Sequence, residues 1–175
     1  VKAYRWTAAT GMVGMGYLPG GESSSVASGV SDDGSVVAGV STSALSPSFG
    51  EAFRWTEATG LVGLGGLPVD LDPVSVPWGL SADGAIVVGW AFSENGREAF
   101  RWNESEGMIG MGDLPSGSFD SWATAVSADG SVIVGLANGE GQTSFRWTAA
   151  TGMVDLGRPP GAGGSQAWGV SADGS

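Results

Sequence analysis

Apolar and small residues alternate in short runs along this chain, and no segment sustains a 3.6-residue period. The runs recur. "AYRWTAATG" at 3–11 returns as "AFRWTEATG" at 52–60, "AFRWNESEG" at 99–107 and "SFRWTAATG" at 144–152. Each copy is followed by a "GMVGMG"-like run and then by an "AWGVS"-like run ending in Asp-Gly, and the first three are then followed by a β-branched run. The pattern predicts four strands per unit, and this is the expected content of one propeller blade. Strand A covers 27–31, 77–81, 124–127 and 167–171. Strand B covers 36–40, 86–90 and 132–136. Strand C is the Arg-Trp run and strand D the Met-Val-Gly run. Asp33, Asp83, Asp129 and Asp173 each precede a Gly, which reads as a two-residue hairpin turn between A and B.

The predicted fold is therefore all-β, a propeller or partial propeller of four-stranded antiparallel blades, with a β-solenoid or an open stack of hairpins as the alternative. Residues 1–175 form one repeat domain, in units 1–42, 43–91, 92–137 and 138–175. Each unit runs C-D-A-B, and the last lacks strand B. Spacing from the strand C Trp to the Pro after strand D is constant (Trp6 to Pro19, Trp55 to Pro68, Trp102 to Pro115, Trp147 to Pro160), whereas the stretch from Asp-Gly to the next Arg drifts most. The A–B and C–D turns share one end of a blade, so one rim is uniform. The opposite rim, of B–C and D–A loops, carries the variety and the expected binding surface. The unmatched strand predicts a chain that continues beyond one or both ends, or a partner copy that completes the open blade.

The Arg-Trp pairs, Arg5–Trp6, Arg54–Trp55, Arg101–Trp102 and Arg146–Trp147, take a structural reading. On strand C the Phe-x-Trp rings share one face and pack between blades, while the Arg points to the reverse face and needs an acceptor. One Asp-Gly turn per Arg makes that turn, or its carbonyls, in the same or the adjacent blade the expected partner. The alternative is a cation–π site for glycans or anions repeated in every blade.

At this point a family resemblance emerges. The "FRWT" run, the "GMVDLG" run and the "SADGS" turn, above all in "GMVDLGRPPGAGGSQAWGVSADGS" at 152–175, resemble the probable extracellular HAF-type repeat over essentially the whole chain. The family's opening His-Ala-Phe is replaced by "KAY", "EAF", "EAF" and "TSF". The resemblance implies a bacterial secreted or cell-surface protein, sometimes with an autotransporter-like or anchored C-terminus. It implies no ligand and no reaction.

Composition narrows the chemistry. With no Cys and no His, thiolate and imidazole catalysis, disulfides, the usual zinc sites and His-ligated haem are excluded. No metal and no cofactor is expected. A net charge of −11 argues against nucleic acid and against docking on an anionic membrane. No apolar run is long enough to span a bilayer. A carboxylate-pair glycosidase needs only Asp and Glu, and Glu51, Glu94, Glu98, Glu140, Asp70 and Asp120 stand on or near the variable rim, but their spacing singles out no pair. Non-catalytic glycan or protein binding is the expected function, with a structural subunit of a surface layer or fibre second. Candidate ligand residues are Phe119, Asp120 and Trp122 of "SGSFDSW", Trp90 and Phe92 as aromatic platforms (with Phe49), and Asp70 and Asp72 as a lone cation site. Phe119 and Trp122 are expected to be exposed, and Trp78, Trp90 and Trp168 to pack between blades.

Overall fold

The computed structural model describes every residue except Leu71, Ser116 and Glu140. Among the described residues fourteen strands form. They are β1 (Ala3–Thr7), β2 (Gly11–Gly16), β3 (Ser25–Val30), β4 (Val36–Ser41), β5 (Glu51–Thr56), β6 (Gly60–Gly63), β7 (Ser75–Leu80), β8 (Val87–Ser93), β9 (Gly96–Asn103), β10 (Gly107–Gly110), β11 (Ser121–Val126), β12 (Ile133–Gly139), β13 (Gly141–Thr148) and β14 (Gly152–Asp155). A two-stranded sheet, β1-β2, is followed by three antiparallel sheets in simple up-and-down order: β3-β4-β5-β6, β7-β8-β9-β10 and β11-β12-β13-β14. These are β-propeller blades. Each blade runs A-B-C-D, half a unit out of step with the sequence repeat, so that unit 43–91 contributes strands to two sheets.

The A strands β3, β7 and β11 lie beside one another at the hub. Their A–B turns are joined blade to blade by main-chain hydrogen bonds: Asp32 N to Ala82 O at 2.9 Å, Ala82 N to Ala128 O at 3.0 Å, and Ala128 N to Ala172 O at 3.0 Å. Residues 167–171, expected as a fourth strand A, occupy this position without forming a strand. Thr124 Oγ1 donates to Ala167 O at 2.7 Å, but no described strand pairs with the segment, and a strand without a ladder leaves its backbone groups to solvent.

The Asp-Gly turn is longer than the two-residue turn expected. Ser31 N donates to Val36 O, leaving four residues in the loop. Asp33 Oδ1 accepts from Ser31 Oγ at 2.7 Å and from Ser35 N at 2.9 Å, a side chain mimicking a turn carbonyl. The same bonds recur at Asp83, Asp129 and Asp173. Gly34 follows with φ +71°, a conformation that excludes most side chains.

Three apolar clusters fill the seams between sheets. In the first, Phe53 and Trp55 meet Ala3, Leu18 and Met15. In the second, Phe100 and Trp102 meet Ala52, Leu64 and Leu67. In the third, Phe145 and Trp147 meet Val88, Ala99 and Leu114. Phe53, Phe100 and Phe145 are fully buried. Phe-x-Trp is thus the face each blade turns to its predecessor. Trp6 is 64% exposed because no described sheet stands in front of β1-β2.

A second repeated device holds each D–A loop to its neighbours. Ser75 Oγ donates to Gly65 O at 2.6 Å and accepts from Ala52 N at 2.9 Å. Ser25, Ser121 and Ser165 make the corresponding bonds. Each stands at constant spacing before the turn serine, a regularity visible in the sequence.

Candidate functional site

Strands β8 and β9 end at the B–C rim in a tight turn that sets Phe92 opposite Arg97. The D–A loop of the same blade brings Asp120 into a parallel bridge with Arg97 just before β11 begins. There Arg97 Nη2 donates to Asp120 Oδ2 at 2.9 Å, and Trp122 Nε1 donates to Asp120 Oδ1 at 2.9 Å. One carboxylate thereby fixes a guanidinium and an indole. The Arg97 Cζ lies 4.4 Å from the Trp122 ring centroid and 5.9 Å from that of Trp90, within cation–π range of both. Trp90 meets Phe92 edge-on at 5.4 Å.

The aromatic row continues inward. Trp122 meets Trp78 edge-on at 5.6 Å, and Trp78 stacks on Trp168 at 5.9 Å with 14° between planes. Phe92, Trp90, Arg97, Trp122, Trp78 and Trp168 form a path from rim to hub, within which Phe92 and Trp168 are exposed and the others half-buried. Asp113 supports the loop from behind. Its carboxylate accepts the main-chain N–H of Leu114 at 2.8 Å and of Asp120 at 2.6 Å. Burial pushes its pKa above the ordinary carboxylate range, against the lowering effect of those bonds.

Trp122, Asp120, Trp90 and Phe92, expected as separate candidates, are therefore one constellation. Phe119 and Trp122 are half-buried, not the exposed pair expected, because Trp122 is held by Asp120 and Arg97 while the Phe119 carbonyl packs over Gly96. Arg97 precedes no Trp and so falls outside the Arg-Trp pattern. Its signal is the only Arg placed directly between a B run and a C run. Trp78 and Trp168 were expected as inter-blade packing. They occupy the same repeat position, three residues before the turn serines Ser81 and Ser171, where the other units carry Ser28 and Thr124. Unequal occupancy of an otherwise regular position marks them.

The remaining candidates lie elsewhere. Asp70 and Asp72 are both exposed on the D–A loop before β7. Among the described residues no three potential ligands converge on a metal position. Phe49 is 73% exposed on the B–C loop before β5, and Leu45 on the same loop is exposed too. Glu51 is buried and accepts from Gly65 N at 2.9 Å, and Glu98 accepts from Gly112 N at 2.9 Å, so both fasten the D–A loop of their own blade. Glu140 lies outside the described residues.

The Arg of strand C bonds a turn carbonyl of the next blade at two seams. Arg5 Nε donates to Gly34 O at 3.1 Å, and Arg54 Nε to Gly84 O at 3.0 Å. The Arg5 Cζ also sits 5.6 Å from the Trp55 ring. Arg101 departs from this arrangement: its Nη1 pairs with Glu106 Oε2 at 2.9 Å within its own hairpin. Arg146 makes neither bond among the described residues.

No family model matches this chain, and neither does any curated protein. Solved structures do. The crystal structure of TolB from Acinetobacter baumannii matches 83% of this chain with a TM-score of 0.58 and 15% identity, and a putative TolB from Agrobacterium tumefaciens matches 89% with a TM-score of 0.58 and 14% identity. The chain spans 34% and 55% of those two proteins. At such identity the likeness is one of fold, and it agrees with the blades seen here.

Proposed function

We propose that this chain is a non-catalytic, secreted or cell-surface binding scaffold that holds a glycan on its B–C and D–A rim, at Phe92, Trp90, Arg97, Asp120 and Trp122. The observation that carries this reading is the aromatic row itself. Half-exposed rings flank a preset guanidinium–carboxylate pair, and they do so at one seam of an otherwise repetitive molecule. Apolar ring faces match the C–H faces of a sugar, while Arg97 and Asp120 supply a donor and an acceptor for its hydroxyls. The resemblance to HAF-type repeats supports the extracytoplasmic setting. A protein ligand is the second reading, favoured by Leu45 and Phe49, which stand exposed on a neighbouring B–C loop of the same rim.

A glycan array probed with the intact chain and with Trp122→Ala tests the proposal. Binding to a defined set of glycans is expected, with a loss of about tenfold or more in the variant, since fully covering a large apolar side chain contributes on the order of 1.5–3 kcal/mol. Equal glycan binding by both forms, or none by either, would remove this site from consideration as a glycan platform.

A further inference from the structure

The opposite rim carries a second feature, independent of the rim just discussed. Between the turns of successive blades lies a groove, and its size differs from seam to seam. At the first seam it measures about 260 Å³ and is lined by Arg5, Thr10, Val13, Met15, Trp55 and Glu57. At the third seam the equivalent groove measures about 910 Å³. There Arg101, Glu106, Ile109, Met111 and Trp147 take the places of Arg5, Thr10, Val13, Met15 and Trp55.

This groove also runs on past Trp147 to Arg146, Thr148 and Asp173, and within the seam itself two residues of the C–D turn set it apart. Three hairpins end in Thr-x-x-Thr, and their paired hydroxyls close the turn: Thr7 with Thr10 at 2.6 Å, Thr56 with Thr59 at 2.8 Å, Thr148 with Thr151 at 2.7 Å. In the third hairpin Asn103 and Glu106 replace the two threonines. Asn103 Oδ1 accepts from the main chain of Ser105 and Glu106, and its amide holds the Glu106 carboxylate. That carboxylate draws Arg101 away from the next blade. Gly130 O, the counterpart of the carbonyls that Arg5 and Arg54 reach, accepts no hydrogen bond among the described residues.

We propose that the third seam binds an arginine side chain of a partner polypeptide, which takes the place that the protein's own arginine fills at the first two seams. The first seam supplies the template: a guanidinium donating to the turn carbonyl and lying against the strand C indole. At the third seam Gly130 O and Trp147 offer the same two partners, and Ile109 and Met111 add apolar wall for neighbouring side chains. Glu106, Asp129 and Asp173 outnumber Arg101 and Arg146 in the lining, so the groove is net acidic. Its volume exceeds that of one side chain, and Ile109 and Met111 leave apolar wall for the residues that flank an arginine in a peptide. Both features favour arginine within a peptide over free arginine.

The test is a titration with N-acetyl-arginine-amide, followed through the amide shifts of Gly130 and Ile109. Saturable binding is expected, at least several-fold tighter than that of free arginine or of N-acetyl-lysine-amide, and none is expected for the citrulline analogue. N103T/E106T restores the repeat's own turn, returns Arg101 to Gly130 O, and should weaken binding at least tenfold while the melting transition shows the chain folded. Absence of saturable binding, equal binding of the lysine analogue, or undiminished binding in the folded double variant would each overturn the site. Tighter binding of free arginine would overturn the peptide as its source.

Discussion

The first and third seams are built from the same repeat, yet one is closed at its turn rim and the other open. Their interiors match. Phe53 and Phe145 are both fully buried, and each is flanked by a half-buried Trp, a Leu or Met from strand D, and Ala or Leu from the preceding blade. The difference begins where the apolar cluster ends and a single guanidinium chooses its acceptor. Arg5 reaches across the seam to a carbonyl, whereas Arg101 stays at home with a carboxylate. A repeat protein can thus keep its core constant and specialise a seam through the turn that competes for one side chain.

If that account is right, deep truncations cost the same at both seams. Phe53→Ala and Phe145→Ala should each lose about 3–5 kcal/mol, the usual cost of removing a buried ring. Chemical denaturation of the two variants checks it. A Phe145→Ala loss well below that of Phe53→Ala would mean that the third seam is loosely packed throughout, and the explanation from Arg101 would fall.

The arginines should then separate the seams. Arg54→Met removes a charged donor from Gly84 O, whose glycine is buried, and strands that acceptor; hydrogen bonds involving a charged group contribute about 1.5–3 kcal/mol. The expected loss is about 2 kcal/mol. That is smaller than for a buried ion pair, because the partner is a carbonyl and the side chain is half-buried. Arg101→Met breaks a pair whose carboxylate side chain is 51% exposed. Such surface pairs contribute about 0–1 kcal/mol. Equal losses in thermal or denaturant unfolding would show that the choice of acceptor does not matter to the seam.

These contrasts bear on how much of the molecule the sequence discloses. The blades were legible because strand periodicity and a fixed Trp-to-Pro spacing report backbone geometry, which every copy shares. The inter-blade role of Phe-x-Trp followed from facing, and one Asp-Gly turn per Arg pointed to the turn carbonyls that Arg5 and Arg54 reach, but not to the departures of Arg101 and Arg146. What the repeat pattern hid was compensation. Glu51 and Glu98 bond the D–A loop from strand C, and glycines stand opposite at Gly63 and Gly110, where a Cβ would come within 2.3 and 2.2 Å of the carboxylate. In the last blade Thr143 replaces the Glu, Asp155 replaces the Gly, and the carboxylate reaches Gly157 N from the other strand. Asp155 is lowered below the ordinary range by Thr143 and Gly157 N–H. A single sequence shows the two substitutions, but only the paired register shows that they cancel. The aromatic row was half visible for the same reason: Trp122 and Phe92 lie far apart in the chain, and Arg97 becomes informative only once Asp120 is beside it.

The smallest effect concerns the turns that Arg5 and Arg101 do or do not reach. Hydrogen bonds lower Asp33 to about 2, chiefly from Ser35 N–H and Ser31 Oγ–H, and lower Asp129 to about 2 through Ser127 Oγ–H and Ser131 N–H. All of these donors are local to the turn. The two turns should therefore titrate alike even though only one has an arginine at its glycine carbonyl. A carboxylate whose folded pKa lies below its unfolded value stabilises the fold fully above about pH 4, and that contribution is lost as pH falls through about 2. Asp33→Asn and Asp129→Asn should each remove the same share of the acid dependence between pH 4 and 2, read as melting temperature against pH or as carboxyl shifts in the native chain. A clear difference between the two would mean that the turn carboxylate responds to the arginine across the seam, and that the closed and open seams differ in more than one guanidinium's choice of partner.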